Sequence, residues 1–384
     1  MGLLIAIIYL IFVSLGLPDS LLGAGWPTMQ VAFHVPSSYA GYVAMTLSFM
    51  TIISALVSPR IIRKVHTKWI VIVSIFLTIV GLVGFSLSTH YWMLFLFAIP
   101  YGFGAGSIDA AVNHYVANNH SGAIMNFLHC FYGLGAIISP LIMGYALSVA
   151  RWNEGYRWTS YIQTGILLVC ILSLPLWKKS QQHFEETRTK SMGIKDAIKL
   201  PGVLPTSIAF FAYCASEATC ILWTSSYFAG TKDGLSDELI ASFGSLIFGG
   251  LLAGRILSGI ISNKLGDRHL IRLGVLVELI GITLVLLPFD HYAPAAIGFL
   301  VIGAGMGPVY PSIQHMAPAN FGKEESAATI GLQTAFGCMG SSFMPMIFGI
   351  IQQHIGIAIM PLYLLFFACI TCGLLEYTYR VIRK

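Results

Sequence analysis

The apolar positions of this chain run in blocks too long for the interior of a soluble domain. A helix needs about 20 mostly apolar residues to cross a bilayer. Twelve stretches meet that length: 3–27, 38–58, 69–88, 91–116, 122–148, 157–177, 202–229, 238–262, 270–288, 292–316, 325–350 and 356–378. They are continuous runs, without the alternation of a lipid-facing barrel strand. The longest polar stretch, 178–200, falls between the sixth and seventh runs. The pattern predicts an all-α integral membrane protein with 12 transmembrane helices: a six-helix half over 1–177, a central loop over 178–200 and a second six-helix half over 201–384.

Composition narrows the picture. Of 384 residues, 56% are hydrophobic and 10% charged, whereas a soluble surface needs about 25–35% charged residues. A soluble enzyme and a nucleic-acid-binding protein are both excluded. Lys and Arg collect on the cytoplasmic side of a membrane. With the first residue inside, 17 of the 21 fall in inside turns or the tail, three (Arg151, Arg157, Lys232) fall outside, and Arg255 lies within a span. Both termini are therefore expected in the cytoplasm, with the chain in the plasma membrane. The net charge of +5 then reflects attraction to anionic lipid. No basic residue precedes the first apolar run and no small-residue cleavage site follows it, so it reads as a span rather than a cleavable leader. The chain starts almost inside that span, which leaves room for a short preceding segment. All seven Cys lie in apolar runs and read as small buried hydrophobes, Cys369 and Cys372 included.

The two sets of six repeat each other. Gly102, Gly104 and Gly106 recur as Gly303, Gly305 and Gly307, and Asn113-His114 as Gln314-His315, at an offset of 201. Phe131, Gly135, Pro140 and Gly144 recur as Phe336, Gly340, Pro345 and Gly349, offset 205, and Asp19 is answered by Glu217, offset 198. A duplicated six-span unit accounts for these matches.

An ionisable group at membrane depth costs about 2.5–3.5 kcal/mol even on the mildest scale, so each one is a candidate site. Asp19 follows Pro18 in a stretch weakened by Pro and Gly; it suits a cation or a sugar hydroxyl, or a hydrogen bond to a neighbouring span. Asp109 and His129, and Asn113 and Asn126, lie at matched distances from the turn near residue 119, which predicts two rungs between spans 4 and 5. The rungs form either a proton relay or a hydrogen-bond ladder. Arg255 and Glu278 lie 11 and 12 residues either side of the turn at 266. Equal depth predicts a structural ion pair, with a direct part in transport as the alternative. Glu376 is expected to pair with Arg380 one turn on. The second half offers amides at matching places, Gln314 and Gln333. With Trp26, Trp223 and Tyr310 they suit an uncharged, polyhydroxylated ligand.

Two six-span halves, a basic central loop and a short turn after the second span of each half resemble the major facilitator superfamily. Its hallmark turn is matched by Gly259, Asn263, Lys264, Gly266, Asp267 and Arg268, with Asn263 where the family has Asp. The resemblance implies a secondary active transporter, with substrate held near the bilayer midplane between two pseudo-symmetric six-helix bundles. Asp19, Asp109 and the run Asn126-Phe-Leu-His-Cys-Phe-Tyr-Gly-Leu-Gly-Ala136 are similar to the fucose–galactose–glucose:proton symporter family, with Gly16 where that family has Asn. That likeness implies proton-coupled movement of a small polar solute, a sugar being the favoured class. Asp19, Asp109, His129 and Glu217 would carry coupling. Asp19, Trp26, Asn113, Asn126, Trp223, Tyr310, Gln314 and Gln333 would contact the substrate. The alternative is a proton-coupled exporter of hydrophobic compounds. The expected partners are the solute, protons (with sodium as the other coupling ion) and lipid. No cofactor, metal or nucleic acid is expected, the chain is expected to be a monomer, and enzyme chemistry is not.

Overall fold

The computed structural model describes residues 2–62, 65–119, 122–177, 194–322 and 326–382. Among these it is helical apart from the connecting turns, and each expected span corresponds to helix. The first span is α1 (Gly2–Gly16) and α2 (Leu21–Phe33). The next five are α3 (Tyr39–Ile62), α4 (Thr67–Leu87), α5 (Tyr91–Asn119), α6 (Gly122–Val149) and α7 (Trp152–Leu172). A one-turn helix, α8 (Ile194–Ala197), precedes α9 (Val203–Thr231). The eighth span is α10 (Asp237–Ser242) with α11 (Ser245–Leu265), and the ninth is α12 (Asp267–Leu286). The tenth comprises α13 (Ala293–Met306), α14 (Val309–His315) and α15 (Ala317–Phe321), followed by α16 (Ser326–Ile355) and α17 (Met360–Ile382). Among the described residues, ten helical runs are long and apolar enough to cross a membrane, with a shorter apolar one at Tyr39–Ser54. The remaining rod, α7, is 21 residues long and more polar, carrying Glu154, Arg157 and Gln163.

Among the described residues three spans are broken, two of them beside a proline. Pro18 has no N–H to donate, so α1 stops at Gly16. The chain then steps through i→i+3 bonds, Asp19 N to Gly16 O at 3.2 Å and Leu21 N to Pro18 O at 3.3 Å, before α2 begins. Phe243-Gly244 separates α10 from α11, and Gly307-Pro308 separates α13 from α14. At membrane depth such breaks persist only where other groups satisfy the freed backbone. Around Pro18 they do: the Tyr101 hydroxyl donates to Pro18 O at 2.6 Å.

The chain divides into two compact units: Met1–His183 with Thr224–Ala229 and Asp233–Ser245, and Phe184–Trp223 with Gly230–Lys232 and Leu246–Lys384. In the first, α1 packs on α6 and α7, α5 lies against α3 and α4, and α10 sits on α6 and α2. In the second, α12 packs on α13, α14 and α17.

The repeated glycines explain the tight crossings. A Cβ on Gly102 would strike Leu47 O on α3, one on Gly104 would strike Ser74 O and Thr78 on α4, and one on Gly106 would strike Thr51 on α3. In the second unit Gly303 meets Ile247 and Gly250 on α11, Gly305 meets Gly274 O and Glu278 on α12, and Gly307 meets Gly254 and Arg255 on α11. Alternate glycines of one helix thus face two neighbours, in the same order in both units. This is close packing by small residues, the principal means of helix association in lipid. Cys369 is exposed and Cys372 half-buried, so the first of that pair is not the core residue expected.

Candidate functional site

In the first unit the break in the first span presents Asp19. Its neighbours Leu17 and Ser20 are 2% and 1% exposed, yet Asp19 itself is exposed. A carboxylate reachable by solvent inside a buried stretch of membrane helix is open to a solute. Its position comes from the α1–α6 crossing. A Cβ on Gly16 would overlap Tyr132 O, and one on Gly135 would overlap Val13 O. This approach brings the Tyr132 hydroxyl to donate to Asp19 Oδ2. It also leaves no space for the Asn that the resemblance placed at position 16. One residue on, the Ser20 hydroxyl donates to Ala136 O at 2.7 Å and lies 3.0 Å from Ser139 Oγ. Asp109 is exposed too and within electrostatic reach of Asp19. The expected rungs Asp109/His129 and Asn113/Asn126 are a different matter: the side chains of Asn113, Asn126 and His129 lie outside the described residues.

In the second unit the acid equivalent to Asp19 is treated differently. Glu217 on α9 pairs with Arg255 of α11, Oε1 to Nη2 at 3.6 Å. The expected partner of Arg255, Glu278, is 3% exposed and accepts from the Ser216 hydroxyl at 3.3 Å. Counting residues from the turn predicts equal depth, and two neighbouring glycines of the tenth span, Gly305 and Gly307, lie against the backbone of Glu278 and Arg255. It said nothing of azimuth, and α11 turns Arg255 towards α9. Glu376 likewise accepts from Arg272 of α12, at 2.5 and 2.8 Å, a bidentate bond that replaces the expected pairing with Arg380.

The two tryptophans expected to face a ligand are used in packing. Trp26 is 0% exposed and donates its indole N–H to Ser37 O at 2.7 Å. Trp223 is also 0% exposed; it donates to Pro345 O at 2.9 Å and lies edge-on to Phe348. A buried indole needs an acceptor for its N–H, and each finds a backbone carbonyl, so neither presents a face to a solute. Gln314, by contrast, is half-buried, and its amide nitrogen lies 3.4 Å from Tyr310 Oη and 3.5 Å from Thr334 Oγ1. The Tyr310 ring stacks obliquely on Phe210, centroids 4.8 Å apart. Gln314 thus reaches α16 through Thr334, the residue after Gln333. Gln333 is fully buried instead, with neither amide atom hydrogen-bonded.

The hallmark turn is built from Gly266, whose φ of 72° suits glycine. Asp267 opens α12, where the helix dipole favours an acid, and it accepts from or pairs with His315 Nδ1 at 2.8 Å. Lys264 closes α11, and the Arg268 guanidinium lies 4.8 Å from the Tyr379 ring centre. Gly259 is exposed with open space around it, and the Asn263 side chain is outside the described residues. The sequence reading assigns no role to Ser216 or Tyr213, and includes Tyr132 only as part of the run Asn126–Ala136. Helical spacing alone carries the signal for Tyr213, one turn before Glu217.

Known proteins bear on this arrangement. A family model described as the Major Facilitator Superfamily matches residues 8–345. Bypass of stop codon protein 6 of Saccharomyces cerevisiae is 21% identical over 390 residues, covering 92% of this chain and 78% of the relative. The glucose/mannose transporter GlcP of Bacillus subtilis is 21% identical over 268 residues, 67% of this chain and 65% of the relative. A mutant of the nucleoside transporter NupG has a similar structure, with TM-score 0.78 and 13% identity over 98% of each chain. FucP, a transporter solved in the outward conformation, gives 0.66 and 16% over 97% and 98%. At such identities the structural likenesses speak to the fold alone.

Proposed function

The chain belongs to the Major Facilitator Superfamily, whose members are transporters rather than enzymes, and on that premise we propose that it moves a small polar solute, a sugar by preference, by proton-coupled alternating access. Asp19 carries the reading. It is an exposed carboxylate at a helix break with buried residues on both sides, bonded by Tyr132 and within reach of a second exposed acid, Asp109. Ionisable groups kept at membrane depth mark ion and substrate paths. Two such acids near one another suit a proton that is taken up on one side and lost on the other.

The sugar preference rests on neutral hydrogen-bonding groups beside aromatic rings, of which Tyr310, Gln314 and Thr334 are the set in contact. A relative named for glucose and mannose agrees with it. The moving bodies are proposed as 1–177 and 201–384, joined by 178–200. The distribution of Lys and Arg supports a plasma-membrane location with both termini cytoplasmic.

The test uses vesicles reconstituted with the purified protein. A thermal-shift screen over sugars, amino acids and dyes first identifies a ligand. Asp19→Asn should then retain counterflow of that ligand and lose its accumulation against a gradient. Normal accumulation by the variant would remove Asp19 from coupling, and a response to dyes alone would overturn the sugar preference.

A further inference from the structure

One buried polar group of the second unit has no use in the packing around it. Gln333 of α16 is 0% exposed, and among the described residues neither its amide oxygen nor its amide nitrogen has a hydrogen-bond partner. Burying an amide in this way is unfavourable, and the great majority of buried polar groups are paired. The repeat shows that the position does not call for an amide. At the offset of 205, Gln333 answers Leu128 of α6. Leu128 is also 0% exposed and belongs to an apolar core with Ile8, Ile11 and Phe12 of α1. Along α16, positions 333, 337 and 340 share one face. A Cβ on Gly337 would meet the Phe210 ring and Cys214 Sγ, and one on Gly340 would meet Phe211 O, all on α9. Gln333 therefore lies on the side of α16 turned to α9. The hydroxyls of α9 one turn before Phe210 are already engaged, Thr206 with Gly202 O at 2.8 Å and Ser207 with Val203 O at 2.9 Å. The next residue of α16 has the opposite character: Thr334 is exposed, with its hydroxyl 3.5 Å from the Gln314 amide nitrogen. The withdrawn amide thus stands one residue away from the neutral groups offered to a solute.

We propose, resting on the transport reading above, that Gln333 is a specificity-determining group for the solute: its amide is withdrawn towards α9 in the arrangement seen and is hydrogen-bonded by the solute in another. An amide offers an acceptor and two donors on neighbouring atoms. The solute that satisfies it is neutral and carries adjacent hydroxyls, one donating to Oε1 while the next accepts from Nε2. The long side chain lets the amide swing towards the face that carries Thr334 once the contact with α9 loosens. A ligand shifts an equilibrium only by its differential affinity for the two states. Here that difference is built into the protein, because the amide is unpaired in one arrangement and doubly bonded in the other. A solute with the hydroxyl pair draws the protein out of the arrangement seen. A solute lacking either hydroxyl leaves part of the amide unpaired and gains less.

Thermal melting of the purified protein in detergent tests this, first alone and then with glucose, mannose, inositol or glycerol and a deoxy analogue of whichever binds. Without solute, Gln333→Leu, the residue of the first half, and Gln333→Met, which keeps the unbranched shape, should both raise the melting temperature, because no partner is left without its bond. With solute, the wild type should melt higher and should separate the probe from its deoxy analogue. Both variants should lose that upward shift and that separation, and Gln333→Asn, which keeps an amide, should retain part of each. A lower melting temperature for Gln333→Leu and Gln333→Met without solute would show that the amide is already satisfied, and would overturn the assignment. A wild-type response to solute in those variants would overturn it as well, and would leave the transport reading standing. No response of the wild type to any of the four probes would count against the sugar preference itself and would take the role of Gln333 with it.

Discussion

The crossing of α5 with α3 and α4 and the crossing of α13 with α11 and α12 use the same glycines in the same order, and fill the space beside them with opposite chemistry. Beside Gly104 and Gly106 stand Thr78 and Thr51. Their hydroxyls return to backbone carbonyls, Thr78 to Ser74 O and Thr51 to Leu47 O and Gly102 O, and Ser54 joins Phe103 O and Ser107 nearby. Beside Gly305 and Gly307 stand Glu278 and Arg255. The first unit packs its crossing glycines against neutral groups and leaves its carboxylates, Asp19 and Asp109, exposed. The second puts charge into the crossing and uses its equivalent acid, Glu217, to balance it. Duplication fixes the backbone approach, and the side chains beside it can then diverge, because glycine contacts leave them free of the packing.

The sharpest way to break this contrast is to remove charge from one crossing and a hydroxyl from the other. Arg255→Gln leaves a buried carboxylate without its counter-ion and should cost about 3–5 kcal/mol; Thr51→Val should cost about 1 kcal/mol. Thermal melting in detergent reads both. The double variant Arg255→Gln with Glu217→Gln should recover most of the loss, and equal losses for Arg255→Gln and Thr51→Val would end the distinction. Next in size are the glycines. A methyl group on Gly104 or on Gly305 meets backbone atoms of α4 or α12, and overpacking of this kind costs about 1–3 kcal/mol. Ala at either position should lower the melting temperature by similar amounts. Damage from only one would mean that the two crossings are not equivalent.

The backbone was the part of this protein that could be read from sequence. Glycine spacing and run length are properties of a single helix, so the twelve spans and the repeat of Gly102–Gly106 at Gly303–Gly307 needed no knowledge of neighbours. The break at Pro18 was legible for the same reason. What stayed hidden depends on how each helix is rotated. Arg255 and Glu278 share a depth, yet Arg255 faces α9 and Glu217. Trp26 and Trp223 carry the composition of ligand contacts, but their N–H groups had carbonyls to reach, Ser37 O and Pro345 O. Tyr132 acquires its role only because Gly16 and Gly135 let α1 and α6 touch.

Two smaller effects sharpen the contrast further. Ser54→Ala loses the bonds to Phe103 O and Ser107; between membrane helices such bonds average about 0.6 kcal/mol, with a maximum near 1.7, so the melting shift should be small and restricted to the first unit's crossing. His315→Gln, at the exposed contact with Asp267, should change stability by less than about 1 kcal/mol. A large loss from His315→Gln, measured by the same melting experiment, would move the weight of the second unit from its buried charges to its hallmark turn.

The bond between Asp19 and Tyr132 joins residues 113 positions apart, and this has a consequence for biogenesis. A chain grows at about 5–20 residues per second, so Asp19 leaves the ribosome on the order of ten seconds before the phenol that will hold it. During that interval the first span has to enter the bilayer with its carboxylate unattended. The uninterrupted apolar run Gly2–Gly16 is the part able to carry that entry. The helix break then assigns two tasks along one span: the segment before Pro18 secures insertion early, and the segment carrying Asp19 is completed only when α6 arrives.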